Sequence, residues 1–256
     1  MNPDDLRTAE PQPDAVPWRA REGIGLFVVS FVAMMIVMVG IVLGVHSKDI
    51  QGVIAIALQE SALLVIVLVW IRTHYDAGPE RLWLREFTPQ NLAVGVGVGI
   101  VGLFVVFLTA GAAAWALEHI ANTTVKAPEQ LTFEAAKPGV GILALAGLGV
   151  VVLAPLAEEV FWRGFILRGL RRSLSAIPAM VSSAVMFGLV HISAADTWEK
   201  AGQYVFTLAI PIGMLGYLFA VTAERRRSIV PTIVAHMVFN GINFAVLVSN
   251  GTFGRG

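Results

Sequence analysis

Seven stretches of this chain are long and apolar enough, or nearly so, to cross a bilayer, and that limits the fold more than any motif does. They cover residues 24–45, 50–71, 92–116, 140–161, 177–191, 204–221 and 229–248. A membrane helix needs about 20 predominantly apolar residues. In hydrocarbon the backbone must satisfy its own hydrogen bonds, which leaves helices as the spanning element for runs of this length. The fifth stretch is short by itself, and the fourth could run on past Phe161. An eighth, broken or re-entrant piece is expected around 127–138. The expected fold is therefore all-α, a polytopic membrane bundle of about 7–8 transmembrane helices. It divides into a polar cytoplasmic tail (1–23), a first set of transmembrane helices (24–139) and a second set (140–248).

Composition supports lipid as the main solvent. Charged residues make up 14% of the 256 residues and hydrophobic ones 56%, whereas soluble domains carry about 25% charged residues. The net charge is zero, so nothing points to nucleic acid. No cysteine is present, which removes disulfides, a thiol nucleophile and thiolate metal ligands. The tail, with Pro3, Pro11, Pro13 and Pro17, reads as disordered. The apolar run after it is too long for a signal-peptide core and lacks a small-residue cleavage site, so it reads as a retained first span.

Basic residues set the expected orientation. Thirteen arginines fall in the tail and in the connections on its side of the membrane, against five basic residues on the other side. The N-terminus is expected in the cytoplasm and, after seven spans, the C-terminus outside. Trp18, Trp70 and Trp115 fall near span ends, as an aromatic belt requires. Gly95 and Gly99 share one helix face in the third span. Close packing within the molecule is the ordinary reading of such a stripe, and a dimer interface the lesser one. The sequence does not set the oligomeric state, and it shows no internal repeat.

Ionisable groups inside spans are costly unless paired or set in a wet cavity. Those found are Glu60 in the second span, Glu158, Glu159 and Arg163 near the end of the fourth, His191 ending the fifth, and His236 in the seventh, joined by Asn240 and Asn243. Glu159 and Arg163 are four apart and can pair on one face. Phe187 and His191, and His236 and Asn240, have the same spacing. If the fourth helix continues to Arg172, Glu159 and His191 each lie 16 residues from the turn at Ser175. An antiparallel pair of helices would then hold both about 20 Å from the cytoplasmic end, with His236 and Asn240 about 14 and 20 Å in. Glu60 has no partner at helical spacing except Gln59, and reads as structural or as a supporting residue.

Two adjacent carboxylates, two imidazoles and an amide suit hydrolysis. One Glu could take a proton from water while a His holds that water. The other His and Asn240 could donate to a developing oxyanion. A structural network or a proton-handling transporter would use similar parts, although no paired broken helices are visible. HExxH and GxSxG are absent, and no Asp lies in any expected span.

Glu158-Glu159-Val160-Phe161-Trp162-Arg163 fits EExxxR, Phe187 to His191 fits FxxxH, and His236 to Asn240 fits HxxxN. With these motifs in this order on separate apolar spans, the chain resembles the CAAX protease and bacteriocin-processing family of intramembrane endopeptidases, over about 140–248. The resemblance implies that Glu158 activates water with help from His191. It implies that His236 and Asn240 form the oxyanion site, and that Glu159 and Arg163 support them or are also required. Members of the family have been described both as glutamic proteases and as metalloproteases. No cofactor is expected here, with zinc on Glu158, His191 and His236 as the alternative. The partners expected are a peptide or protein substrate in or at the membrane, and the bilayer itself. A catalytically silent immunity or scaffold protein is a further reading. The polar tail, absent cysteine and lack of a eukaryotic sorting signal favour a bacterial plasma membrane.

Overall fold

The computed structural model describes residues 15–125, 138–194 and 197–250. Seven helical rods carry most of the described residues: α1 (Ala20–Gly44), α2 (Lys48–Tyr75), α3 (Pro89–His119), α4 (Val140–Arg171), α5 (Ala176–Val190), α6 (Lys200–Arg226) and α7 (Val230–Ser249). Among the described residues there is no strand, and six of the rods are long and apolar enough to cross a membrane. The seventh, α5, is the short one, as its apolar run is in sequence. The fourth rod does run past Phe161, to Arg171. The re-entrant piece expected around 127–138 falls almost wholly outside the described residues.

Local chemistry sets the rod ends. Ser47 and Thr88 cap α2 and α3 by accepting the backbone N–H of Ile50 and Asn91. Pro89 stands in the first turn of α3, where a missing N–H costs nothing. The left-handed residues Asp76 and Arg227 stop α2 and α6.

The arginine-rich connections gather at one end of the bundle. Arg85 Nε donates to the Arg227 carbonyl at 3.1 Å, Ser228 Oγ to the Arg85 carbonyl at 2.6 Å, and Arg226 Nε to Asn91 Oδ1 at 2.8 Å. Arg171 pairs with Glu224 at 2.9 Å. Charge asymmetry along the sequence thus becomes a single polar cap on an apolar bundle.

Two expectations are corrected at this end. Residues 15–23 are not a loose tail: Val16 and Trp18 are buried, and α1 already begins at Ala20. Trp18 is not a belt residue either. Its indole stacks on Phe165 at 5.0 Å and its Nε1–H donates to the Phe165 carbonyl at 3.1 Å. A tryptophan near a span end is drawn to whichever surface satisfies both its ring and its N–H, and here the end of α4 does so. Trp115, in contrast, is 57% exposed at the far end of α3.

The glycine stripe of α3 packs within the molecule. A methyl group at Gly99 would lie 2.6 Å from the Ala235 carbonyl oxygen, and one at Gly95 2.7 Å from that of Pro231, so only glycine lets α3 touch α7 there.

Candidate active site

Helix α4 is not a regular α-helix. Residues Leu148–Leu153 and Val160–Leu167 form π-helical turns around the α-helical segment Ala154–Glu159, which carries both glutamates. Wide turns of this kind concentrate at functional sites, because each extra residue re-aims the side chains C-terminal to it. Every residue of Val160–Leu167 is buried.

Glu159 lies at the centre, with no exposed surface. Its Oε1 accepts from Arg163 Nη1 at 2.8 Å, and His236 Nδ1 lies 3.1 Å from the same oxygen. A carboxylate offers only acceptors, so Nδ1 carries the proton and the ring presents Nε2 on its far side. Arg163, equally buried, also donates through Nη2 to the Gly216 carbonyl at 3.2 Å, and its guanidinium sits 4.3 Å above the Phe187 ring. A methyl at Gly216 would crowd both Phe187 and Arg163, so the glycine brings α6 within reach of the arginine. The charge of Arg163 is balanced first by Glu159 and then by Glu158. Buried charge is tolerable only when paired and hydrogen-bonded in this way.

Phe187 is the shared wall. The His191 ring meets it edge-on at 5.0 Å, the His236 ring at 6.2 Å, and Phe219 closes the far side of His236 at 5.6 Å. His191 ends α5, where its Nδ1 lies 2.7 Å from the Phe187 carbonyl. A carbonyl can only accept, so this nitrogen too carries the proton and Nε2 is left as a lone-pair site.

The sequence motifs are therefore brought together unequally. Glu159, Arg163 and His236 form one bonded cluster, with Phe187 and His191 beside it. Glu158 is half-buried, and its buried Oε2 finds no donor among the described residues; no hydrogen bond joins it to either histidine. Asn240, one turn beyond His236, donates through Nδ2 to the Val150 carbonyl at 2.8 Å. Asn243 bonds its own helix, to the Phe239 carbonyl, and takes no part. Glu60 is 6% exposed on α2, within electrostatic reach of Glu158, and its Oε2 also lacks a donor among the described residues.

Three contributors escaped sequence reasoning: the Gly216 carbonyl, the Phe219 face and the Val150 carbonyl. Backbone acceptors carry no residue-type signal. Only the proline at 155, which withholds a donor near Val150, hinted at the last.

Zinc would need three protein ligands and a water. Among the described residues no group of three or more His, Asp or Glu is placed to hold an ion. Glu158, His191 and His236 do not converge as such a set.

A helical membrane bundle with a carboxylate–guanidinium–imidazole cluster at its centre fits the class of intramembrane hydrolases. Residues 140–242 match the family model described as type II CAAX prenyl endopeptidase Rce1-like. The matched segment supports a domain of the CAAX protease family, carried by a multi-pass helical membrane protein. No curated protein and no solved structure matches the chain.

Proposed function

We propose that the protein is an intramembrane endopeptidase that hydrolyses a peptide bond with water activated by Glu158. The observation that carries this reading is a division of labour between adjacent carboxylates. Glu159 is tied down through Oε1 by Arg163 and His236, although its Oε2 also lacks a donor, while Glu158 makes no hydrogen bond or ion pair among the described residues. A base must have a free lone pair within reach of water, and of the two carboxylates Glu158 is the half-buried one that no cation or imidazole holds.

In this mechanism Glu158 takes a proton from water and the resulting hydroxide attacks the peptide carbonyl. His191, whose Nε2 is a lone-pair site, accepts the other hydrogen bond of that water. Glu159 holds the Nδ1–H of His236, so that the protonated ring can donate through Nε2–H to the oxyanion. The second amide hydrogen of Asn240 supplies another donor, since the first is engaged by Val150. The proton on Glu158 then passes to the leaving amine, which completes the balance. Arg163 anchors the Glu159 carboxylate and takes no part in proton transfer.

The substrate is proposed as a peptide in or at the membrane, with a prenylated C-terminal CAAX-type peptide as the first probe and a bacteriocin leader as the next. The arginine-rich end is proposed to face the cytoplasm of a bacterial plasma membrane. The test uses the full chain in nanodiscs with an internally quenched prenylated peptide, and compares the membrane peptide pools of cells with and without the active protein. Glu158→Gln should lower turnover by about 10² to 10⁴, the usual worth of a general base, with the melting temperature nearly unchanged. Retained cleavage in Glu158→Gln would overturn the assignment of the base.

A further inference from the structure

Asn240 is committed to a bond that a pure oxyanion donor would not need. Its Nδ2 donates to the Val150 carbonyl, inside the first π-helical turn of α4. Backbone carbonyls in a membrane helix must be satisfied within the protein, and Val150 has lost its helical donors. The N–H of Ala154, which in an α-helix would bond Val150, reaches back to Gly149 instead. In the π register the next donor to Val150 would be residue 155, and residue 155 is proline, which has no N–H. Asn240 fills that place.

The contact around this bond is close. A methyl at Gly241 would meet Val151 Cγ1 at 3.4 Å, and one at Gly147 would meet the Phe244 ring at 3.0 Å. Helix α7 is thus fitted to the π turn on both sides of the hydrogen bond. The turn also has a consequence downstream. A helix turns about 100° per residue, so one extra residue in a turn rotates everything after it by about that amount. Glu158 and Glu159 come within ten residues of it, and the bond from Glu159 to His236 depends on their phase.

We infer that Asn240 is a positioning residue as well as a donor: its amide replaces the backbone N–H that Pro155 withholds, and so holds the π turn that aims Glu159 at His236 and sets the phase of Glu158 beside it. Its catalytic consequence rests on the endopeptidase reading above, but the clamp itself does not.

The chain has no cysteine, so a single introduced pair reports on the clamp without background. Val151→Cys with Gly241→Cys places a sulfur near Val151 Cγ1, opposite the new Cβ at 241. In the full chain in nanodiscs, mild oxidation should cross-link this pair. Asn240→Ala should slow the cross-link at least tenfold, and so should Asn240→Asp, which keeps the side-chain shape but cannot donate when ionised. Adding Pro155→Ala to either variant should return the rate to within threefold of the parent, because an alanine at that position supplies the missing N–H. With the quenched peptide and no cysteines introduced, Asn240→Ala should lower kcat at least tenfold and leave KM within threefold, and Pro155→Ala should recover part of the lost kcat.

An unchanged cross-linking rate in both Asn240 variants overturns the clamp, even where cleavage is lost, and leaves Asn240 as a donor to substrate alone. Slowed cross-linking that Pro155→Ala does not recover overturns it too. Slowed and recovered cross-linking in a protein whose parent cleaves no peptide sustains the clamp and counts instead against the peptidase reading.

Discussion

Helices α1 and α4 are both long apolar rods, yet they meet different surroundings. Of the 25 residues of α1 only Gly23, Leu26 and Ser30 are buried, and Ile36, Val39 and Leu43 are all more than 60% exposed. The second half of α4 is enclosed by protein and carries one π-helical turn, Val160–Leu167, while the other, Leu148–Leu153, lies on a half-exposed stretch that α7 meets on one side. The contrast comes from the partners each side can supply. Lipid offers no hydrogen-bond partner, so a lipid-facing helix must stay regular. A helix surrounded by other helices can let carbonyls leave its own ladder, because neighbours such as Asn240 and Trp18 supply donors. Irregular backbone therefore occurs where a neighbouring helix can supply a donor, and buried charge where protein encloses the rod.

Substitutions on either rod put this contrast at risk. The largest stability effect is expected from Arg163→Ala, which strips Glu159 of its cation in a site with no exposed surface. Removing one partner of a buried pair costs about 3–5 kcal/mol, read as a fall in melting temperature by tryptophan fluorescence in detergent, with cleavage lost as well. Should Arg163→Ala melt like the parent, α4 would be no more protein-enclosed than α1. Next comes Gly99→Leu, which drives a side chain into the Ala235 carbonyl and Val238. Overpacking of this kind costs about 1–3 kcal/mol; a neutral result would mean that α3 and α7 are not in contact. The smallest effect belongs to α1: Ile36→Leu exchanges one lipid-facing aliphatic for another, and less than about 0.5 kcal/mol should be seen. A large loss there would show that α1 packs against something in the membrane.

The parts that sequence made legible are those governed by local chemistry. Apolar run length located the seven rods, and the i,i+4 spacing of Glu159 and Arg163 matches their ion pair. The gathering of the arginine connections at one end also agrees with span count and charge. Less legible was anything that depends on a partner distant along the chain. Trp18 was read from its place near a span end, but it lies 147 residues from the carbonyl it bonds. Asn240 was assigned a donor role from its residue type, while the acceptor it holds is 90 residues away and belongs to the backbone. Glu60, outside the matched segment, had no sequence neighbour to explain it, and the fold sets it near Glu158.

Hydropathy and spacing are enough to make this protein a membrane-spanning helical bundle and to put polar side chains on defined faces of three of its helices. They do not say which carboxylate is held by the cation and the imidazole and which is left unbonded, nor where α4 departs from α-helical register; packing settles both. Those outcomes turn on donors and acceptors brought from other helices, and no local pattern in the chain encodes how far away such partners will be.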